Sequence, residues 1–217
     1  MQVTLLKKCK SVVKKLLEPT KVNYCLVCYQ PINSFFKINL CYNCLKNLQA
    51  KIIIINLNSI KGIGIYPYEK GINDLLFRYK GCYDMELNKI FFDPYKILIK
   101  IIFHDYIIVP IPSFVEHDKK RGFNHVYEMV KILNMPIITC LEKIKDLKQS
   151  SYHFSERQNI SNYLIVNDNI KLIKNKKILL VDDVLTTGST MKACINLLKN
   201  NQVKKLNFLA MSYTCRK

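Results

Sequence analysis

From about residue 60 to the end of the chain, apolar residues follow two alternating rhythms. Short dense runs predict buried strands: "IKGIGIYPY" at 60–68, "DYIIVPIP" at 105–112, "PIIT" at 136–139, "KKILLVD" at 176–182 and "KKLNFLAMSYT" at 204–214. Between them, apolar residues three and four apart predict helices. These are "GINDLLFRYKG" closed by Gly81, "MELNKIFFDPYKILIKIIF" interrupted by Pro94, "NHVYEMVKIL", and "STMKACINLLKN". Residues 141–163 are polar and irregular. Strand alternating with helix implies crossover connections and a mostly parallel sheet, an α/β fold.

The first 60 residues read differently. Val3, Leu5, Leu6, Val12, Val13, Leu16 and Leu17 outline a short basic amphipathic helix ending before Pro19. Lysines interrupt it too often for a secretion signal. The apolar run "KIIIINL" is far shorter than the roughly 20 residues a bilayer span needs. No membrane span is expected, and a cytoplasmic setting would keep the nine cysteines reduced. Four of those nine fall between residues 25 and 44. The expected organisation is a basic helix and a four-cysteine module over residues 1–60, then an α/β domain over 61–217.

The cysteine spacing carries chemistry. Cys25 and Cys28 form one CxxC pair, and Cys41 and Cys44 form another after twelve intervening residues. Each pair puts two thiolates on a tight turn, and two pairs complete a tetrahedral shell. Structural Zn2+ in a small ribbon is the expected ion; the same ligands suit iron in a rubredoxin-like site. Metal binding would supply folding free energy that so small a core cannot. Lys37, Lys46 and Lys51 could bring such a ribbon to nucleic acid, or the ribbon could simply pack on its neighbour. Cys9, Cys82, Cys140, Cys194 and Cys215 are scattered and read as small apolar residues.

A second motif is "ILLVDDVLTTGSTM", residues 178–191. Ligands of open parallel sheets bind beyond the carboxyl ends of strands, where Asp182 and Asp183 are expected. Alternation along the strand sends the two carboxylates in different directions. The turn that follows holds Thr186, Thr187, Gly188, Ser189 and Thr190 and opens a helix. A helix start presents unpaired N–H groups and a dipole that favours an anion. Together these make a socket for a ribose 5-phosphate: acids for the sugar diol, hydroxyls and N–H groups for the phosphate. A phosphoacceptor receiver domain also has adjacent acids after a strand, but it needs more chain than the 34 residues that follow Asp183. A plain N-cap would explain neither two acids nor four hydroxyls.

The formal net charge is +18, from 34 Lys and Arg against 16 Asp and Glu. That favours polyanionic partners such as nucleic acid, phosphorylated metabolites or an anionic surface. It is also what a lysine-rich solvated surface gives. Lys119, Lys120 and Arg121 lie just past the strand "DYIIVPIP", where they could neutralise an anion or simply start a basic, solvent-facing helix.

The stretch 178–191 resembles the phosphoribosyl pyrophosphate (PRPP) motif of type I phosphoribosyltransferases. With the double CxxC, "RYKGCYDMEL" and "IIVPIPSFVEHDKKRGFNHV", the chain resembles the ComF family of competence-associated, phosphoribosyltransferase-like proteins. The "RGFN" element, Arg121 to Asn124, is its most family-specific piece. The resemblance implies a type I phosphoribosyltransferase-like parallel sheet with flanking helices, preceded by a zinc ribbon. It implies that Asp182 and Asp183 meet the ribose, that Thr186 to Thr190 hold the 5'-phosphate, and that the pyrophosphate lies by Lys120 and Arg121 with Mg2+. It also implies a link to DNA uptake alongside a helicase-like partner, and the +18 charge with interspersed tyrosines is compatible with binding single-stranded DNA. Gln149, Arg157 and Asn159 match a further family segment. In that segment Lys143 and Lys145 stand for arginines and Leu147 for a threonine, and the spacing is about one residue short. His125 stands where glutamine usually follows "RGFN".

Overall fold

The computed structural model describes residues 23–32, 39–144 and 163–214. The expected N-terminal helix lies outside them, as do Cys9, Lys37, Lys145, Leu147, Gln149, Arg157, Asn159 and Cys215. A small ribbon comes first: β1 (Asn23–Tyr24) pairs antiparallel with β2 (Pro31–Ile32), and helix α1 (Tyr42–Asn47) follows. Next come β3 (Ile53–Leu57) and β4 (Ile60–Pro67), joined through Asn58 and Ser59 in the left-handed conformation. The boundary expected at residue 60 falls within this hairpin, and β3 lies in the main sheet.

Helix α2 (Lys70–Gly81) leads through a short 3-10 turn to α3 (Asn88–Phe92). Pro94 sits in another 3-10 turn, which separates α3 from α4 (Lys96–Ile102) as expected of a residue lacking an N–H. The order continues with β5 (Ile107–Pro110), α5 (Val115–Arg121), α6 (His125–Lys131), β6 (Leu141–Lys143), β7 (Leu164–Val166), β8 (Lys177–Leu185), α7 (Ser189–Asn200) and β9 (Lys205–Tyr213).

The main sheet has the order β3-β4-β9-β8-β5. Its β4-β9, β9-β8 and β8-β5 pairs are parallel, and β3 adds an antiparallel edge. "PIIT" does not form a strand of its own. It touches β5 through one bridge, Ile108 to Ile137, flanked by two backbone bonds of 2.8 and 2.9 Å. Pro136 accepts one of these bonds and has no N–H to extend the ladder.

Period-2 alternation along β8 builds a core on each face. Leu179 and Val181 join the cluster formed by α2, α3 and α6; Ile178 and Leu180 join Met191, Cys194, Ile195 and Leu198 of α7. Ribbon residues Cys25, Leu40 and Leu48 belong to the first cluster, so the ribbon shares a core with the α/β body. Close sheet packing demands Gly62, where a Cβ would meet the Phe208 ring at 2.3 Å. Among the described residues no helix is long and apolar enough to cross a membrane.

Candidate functional site

The four cysteines converge. Sγ atoms of Cys25, Cys28, Cys41 and Cys44 all lie within 4.8 Å of one another, and Cys28 and Cys41 are 3.7 Å apart. A tetrahedron with Zn–S bonds of about 2.3 Å has edges of about 3.8 Å, so the arrangement fits a structural zinc. Cys41 caps α1, its sulfur accepting from the Cys44 N–H at 3.4 Å. Burial opposes ionisation of Cys25, yet N–H groups of Cys41, Cys28 and Val27 pull its thiol down to about 6. Cys44 is pushed up by burial and by the neighbouring sulfurs.

Arg78 ties this knuckle to the body. From the last turn of α2 it donates to the carbonyls of Leu26 (3.2 Å) and Val27 (3.3 Å) and to Asp84 (3.0 Å). The next two residues reach elsewhere. The buried Tyr79 donates its hydroxyl to the His125 carbonyl at 2.7 Å. The Lys80 ammonium ion-pairs with Asp183 Oδ2.

The acid pair does not end its strand. β8 runs through Asp182 and Asp183 to Leu185 because β9 continues alongside it as far as Leu185 opposite Tyr213. On the other side β5 stops at Pro110 opposite Val181, and that early end exposes the acids. Asp183 faces the α2 and α6 layer, where Lys80 and, at 3.1 Å, His125 Nε2 meet its Oδ2. Burial opposes its charge, but Lys80 and His125 hold its carboxyl well below the usual range. Asp182 is pushed up, by burial and by the charge of Asp183. Three of the four carboxylate oxygens already accept bonds. Asp182 Oδ1 takes the Asp183 N–H at 2.9 Å, Asp183 Oδ1 takes the Val184 N–H at 2.7 Å, and Asp183 Oδ2 holds Lys80 and His125.

A cavity of about 810 Å³ opens over this pair. Its wall opposite the strand is basic. α5 ends on Gly122, whose φ of 84° is left-handed and lets the chain reverse after Arg121. Arg121 is fixed by Asp118 at 3.0 Å, by the Lys80 carbonyl at 3.4 Å and by His125 Nδ1 at 3.1 Å. Asn124 caps α6 by accepting from Tyr127 N–H and donates to Asp118 at 2.8 Å. "RGFN" thus builds a rigid corner around one arginine.

The cavity brings together Asp182, Asp183, Lys120, Arg121 and Thr190, and Lys143 of β6 also lines it. Thr186, Thr187, Gly188 and Ser189 form the turn beside it, and of the five turn positions only Thr190 lines the cavity wall. Gly188, with φ of 73°, precedes the first residue of α7, and Thr187 Oγ1 lies 2.9 Å from Ser189 Oγ. Lys80 and the pairing role of His125 escaped sequence reasoning. Nothing local in the sequence marks Lys80, whose partner lies 103 positions away.

Residues 119–213 match the family described as Phosphoribosyl transferase domain. Competence protein ComFC of Streptococcus pneumoniae (strain ATCC BAA-255 / R6) is 31% identical over 172 residues, covering 76% of this chain and 73% of that protein. The chain belongs to the ComF family. Competence protein ComFC of Bacillus subtilis (strain 168) is 27% identical over 129 residues, 58% of this chain and 53% of that relative, so the match spans about half the relative's length. Among solved structures, a hypoxanthine-guanine phosphoribosyltransferase from Bacillus anthracis aligns at a TM-score of 0.38 and 13% identity, over 58% of this chain and 66% of that one. A purine phosphoribosyltransferase from Pyrococcus horikoshii aligns at 0.37 and 14%, over 58% and 81%. This ComF-family chain therefore combines a phosphoribosyltransferase-like sheet with a four-cysteine cluster that suits a zinc ribbon.

Proposed function

We propose that the cavity binds PRPP or another ribose 5-phosphate ligand. The observation that carries this is the meeting of Asp182, Asp183, Lys120, Arg121 and Thr190 around one space. Asp182 and Asp183 take the ribose hydroxyls. The turn from Thr186 to Thr190, at the start of a twelve-residue helix, takes the 5'-phosphate through its N–H groups and hydroxyls. Lys120 and Arg121 face the pyrophosphate. Transfer would break the C1–O bond to pyrophosphate, which leaves with the bonding pair, while C1 forms a bond to an acceptor nucleophile; positive charge builds on the sugar ring between the two events. The Asp183 carboxylate, held ionised by its partners, would stabilise that charge and the basic wall the leaving group. The Mg2+ that the resemblance implies finds a poor ligand set in this acid pair, whose oxygens are mostly engaged already.

The curated relatives are named competence proteins, and we place this chain in the same process, DNA uptake. A second reading makes it an accessory for single-stranded DNA whose sugar-phosphate site is a regulatory switch. Tyr24 and Tyr42 favour it, being 54% and 75% exposed on the ribbon where bases can stack. Binding that fails to weaken as salt rises would count against that reading.

The test of the first reading is a thermal shift with PRPP. Ligand at about a hundred times Kd stabilises by about 2.7 kcal/mol, which for a chain this long raises Tm by about 5–10 °C. The Asp182→Asn, Asp183→Asn double variant should show no such rise. An unresponsive native chain would overturn the proposal.

A further inference from the structure

We propose that Lys80 is the resident cation of this sugar-phosphate site, and that the site takes its polyanionic ligand without a divalent metal. The inference rests on the ribose 5-phosphate reading of the cavity. Magnesium asks for octahedral oxygen ligands, usually one or two carboxylates together with substrate phosphates. Here three of the four carboxylate oxygens are engaged. The Lys80 ammonium lies on Asp183 Oδ2, the same oxygen receives His125 Nε2 at 3.1 Å, and two more oxygens accept backbone N–H groups. Arg121 Nη1 lies 3.1 Å from His125 Nδ1 on the far side of that ring. Lys80 brings a full ammonium charge onto this carboxylate. A divalent ion placed there would face an ammonium at contact distance.

The lysine is also held from both ends of its tripeptide. Arg78 is anchored on the cysteine knuckle, Tyr79 on α6, and the Lys80 carbonyl receives Arg121 Nε at 3.4 Å. An ammonium has three donors. One goes to Asp183, and the others serve the cavity that Lys80 lines. Lys80, Lys120, Arg121 and Lys143 surround the space against two acids, one of which, Asp182, is biased towards its neutral form. That excess matches a pyrophosphate bearing no counter-ion of its own. Among the described residues, the four cysteines are the one group of three or more ligating side chains close enough to hold a metal.

Titration calorimetry of PRPP into the zinc-loaded chain tests this, with and without millimolar Mg2+. Divalent ions are removed from the buffer with a chelating resin, because a soluble chelator would strip the ribbon. The native chain should bind PRPP with a Kd that changes less than about threefold on adding Mg2+. Lys80→Met should lose about tenfold to a hundredfold without Mg2+, the worth of a charge-assisted bond, and should recover when Mg2+ is supplied. A general packing defect would not be rescued in that way. Native binding that weakens tenfold or more without Mg2+ overturns the proposal and leaves the ribose 5-phosphate reading standing. An unchanged Lys80→Met also overturns it. No binding in either buffer overturns both. Should Lys80→Met fail to fold, the two native titrations decide.

Discussion

Replacing Asp183 with asparagine keeps the shape of the site and removes its charge. The native side chain is 9% exposed and meets Lys80 and His125. Removing one partner of a buried ion pair costs about 3–5 kcal/mol, because the other charge is left uncompensated. Lys80 is 32% exposed and can still reach water, which discounts the cost to about 1–3 kcal/mol. At the middle of that range Tm falls by about 4–8 °C for a chain of this length. Urea and thermal unfolding of both zinc-loaded chains read the difference directly. The pH dependence has a definite sign. Burial opposes the Asp183 charge, but Lys80 and His125 prevail and hold its folded pKa well below the ordinary 3.8. Such a group contributes stability above its unfolded value and loses it as pH falls through the folded one. The gap between native and Asp183→Asn chains should be full near neutrality and close on acidification below about pH 4. An asparagine variant as stable as the native chain, or more stable, would show that Asp183 is an uncompensated buried acid and would refute the pairing.

Zinc removal should release the knuckle whose carbonyls anchor Arg78, so the chelated chain should bind ribose 5-phosphate more weakly; equal affinity with and without zinc would sever the link between ribbon and cavity. Gly62→Ala forces a Cβ against the Phe208 ring and should cost about 1–3 kcal/mol by overpacking, read as a lower urea midpoint. Gly188→Ala puts a side chain at a φ of 73°, which costs about 1–2 kcal/mol and should weaken ribose 5-phosphate binding as the turn shifts.

Local pattern carried much of the fold. Alternation placed β4, β8 and β9, helical spacing placed α2 and α7, and the break at Pro94 fell where a missing N–H requires it. The edge strand β3 escaped because "KIIIINL" is an unbroken apolar run, in which a period of two has no contrast to show. "PIIT" reads as a strand by composition, but pairing is a non-local property and the neighbouring β5 offers it one bridge. The cysteine shell was legible because CxxC spacing is local geometry. The acid pair was legible for the same reason, though what exposes it is the early stop of β5 and not the end of β8. Lys80 was invisible, because an ordinary lysine in a helix acquires its meaning only when α2 packs its last turn against β8.

The central claim is that a ribose 5-phosphate docks between the β8 acids and the turn that starts α7. A crystal structure of the chain with ribose 5-phosphate tests it most directly. Sugar hydroxyls should lie within hydrogen-bond reach of Asp182 and Asp183, and the phosphate should lie against residues 186–190. A ligand bound elsewhere, or a cavity that stays empty at saturating concentration, would contradict it.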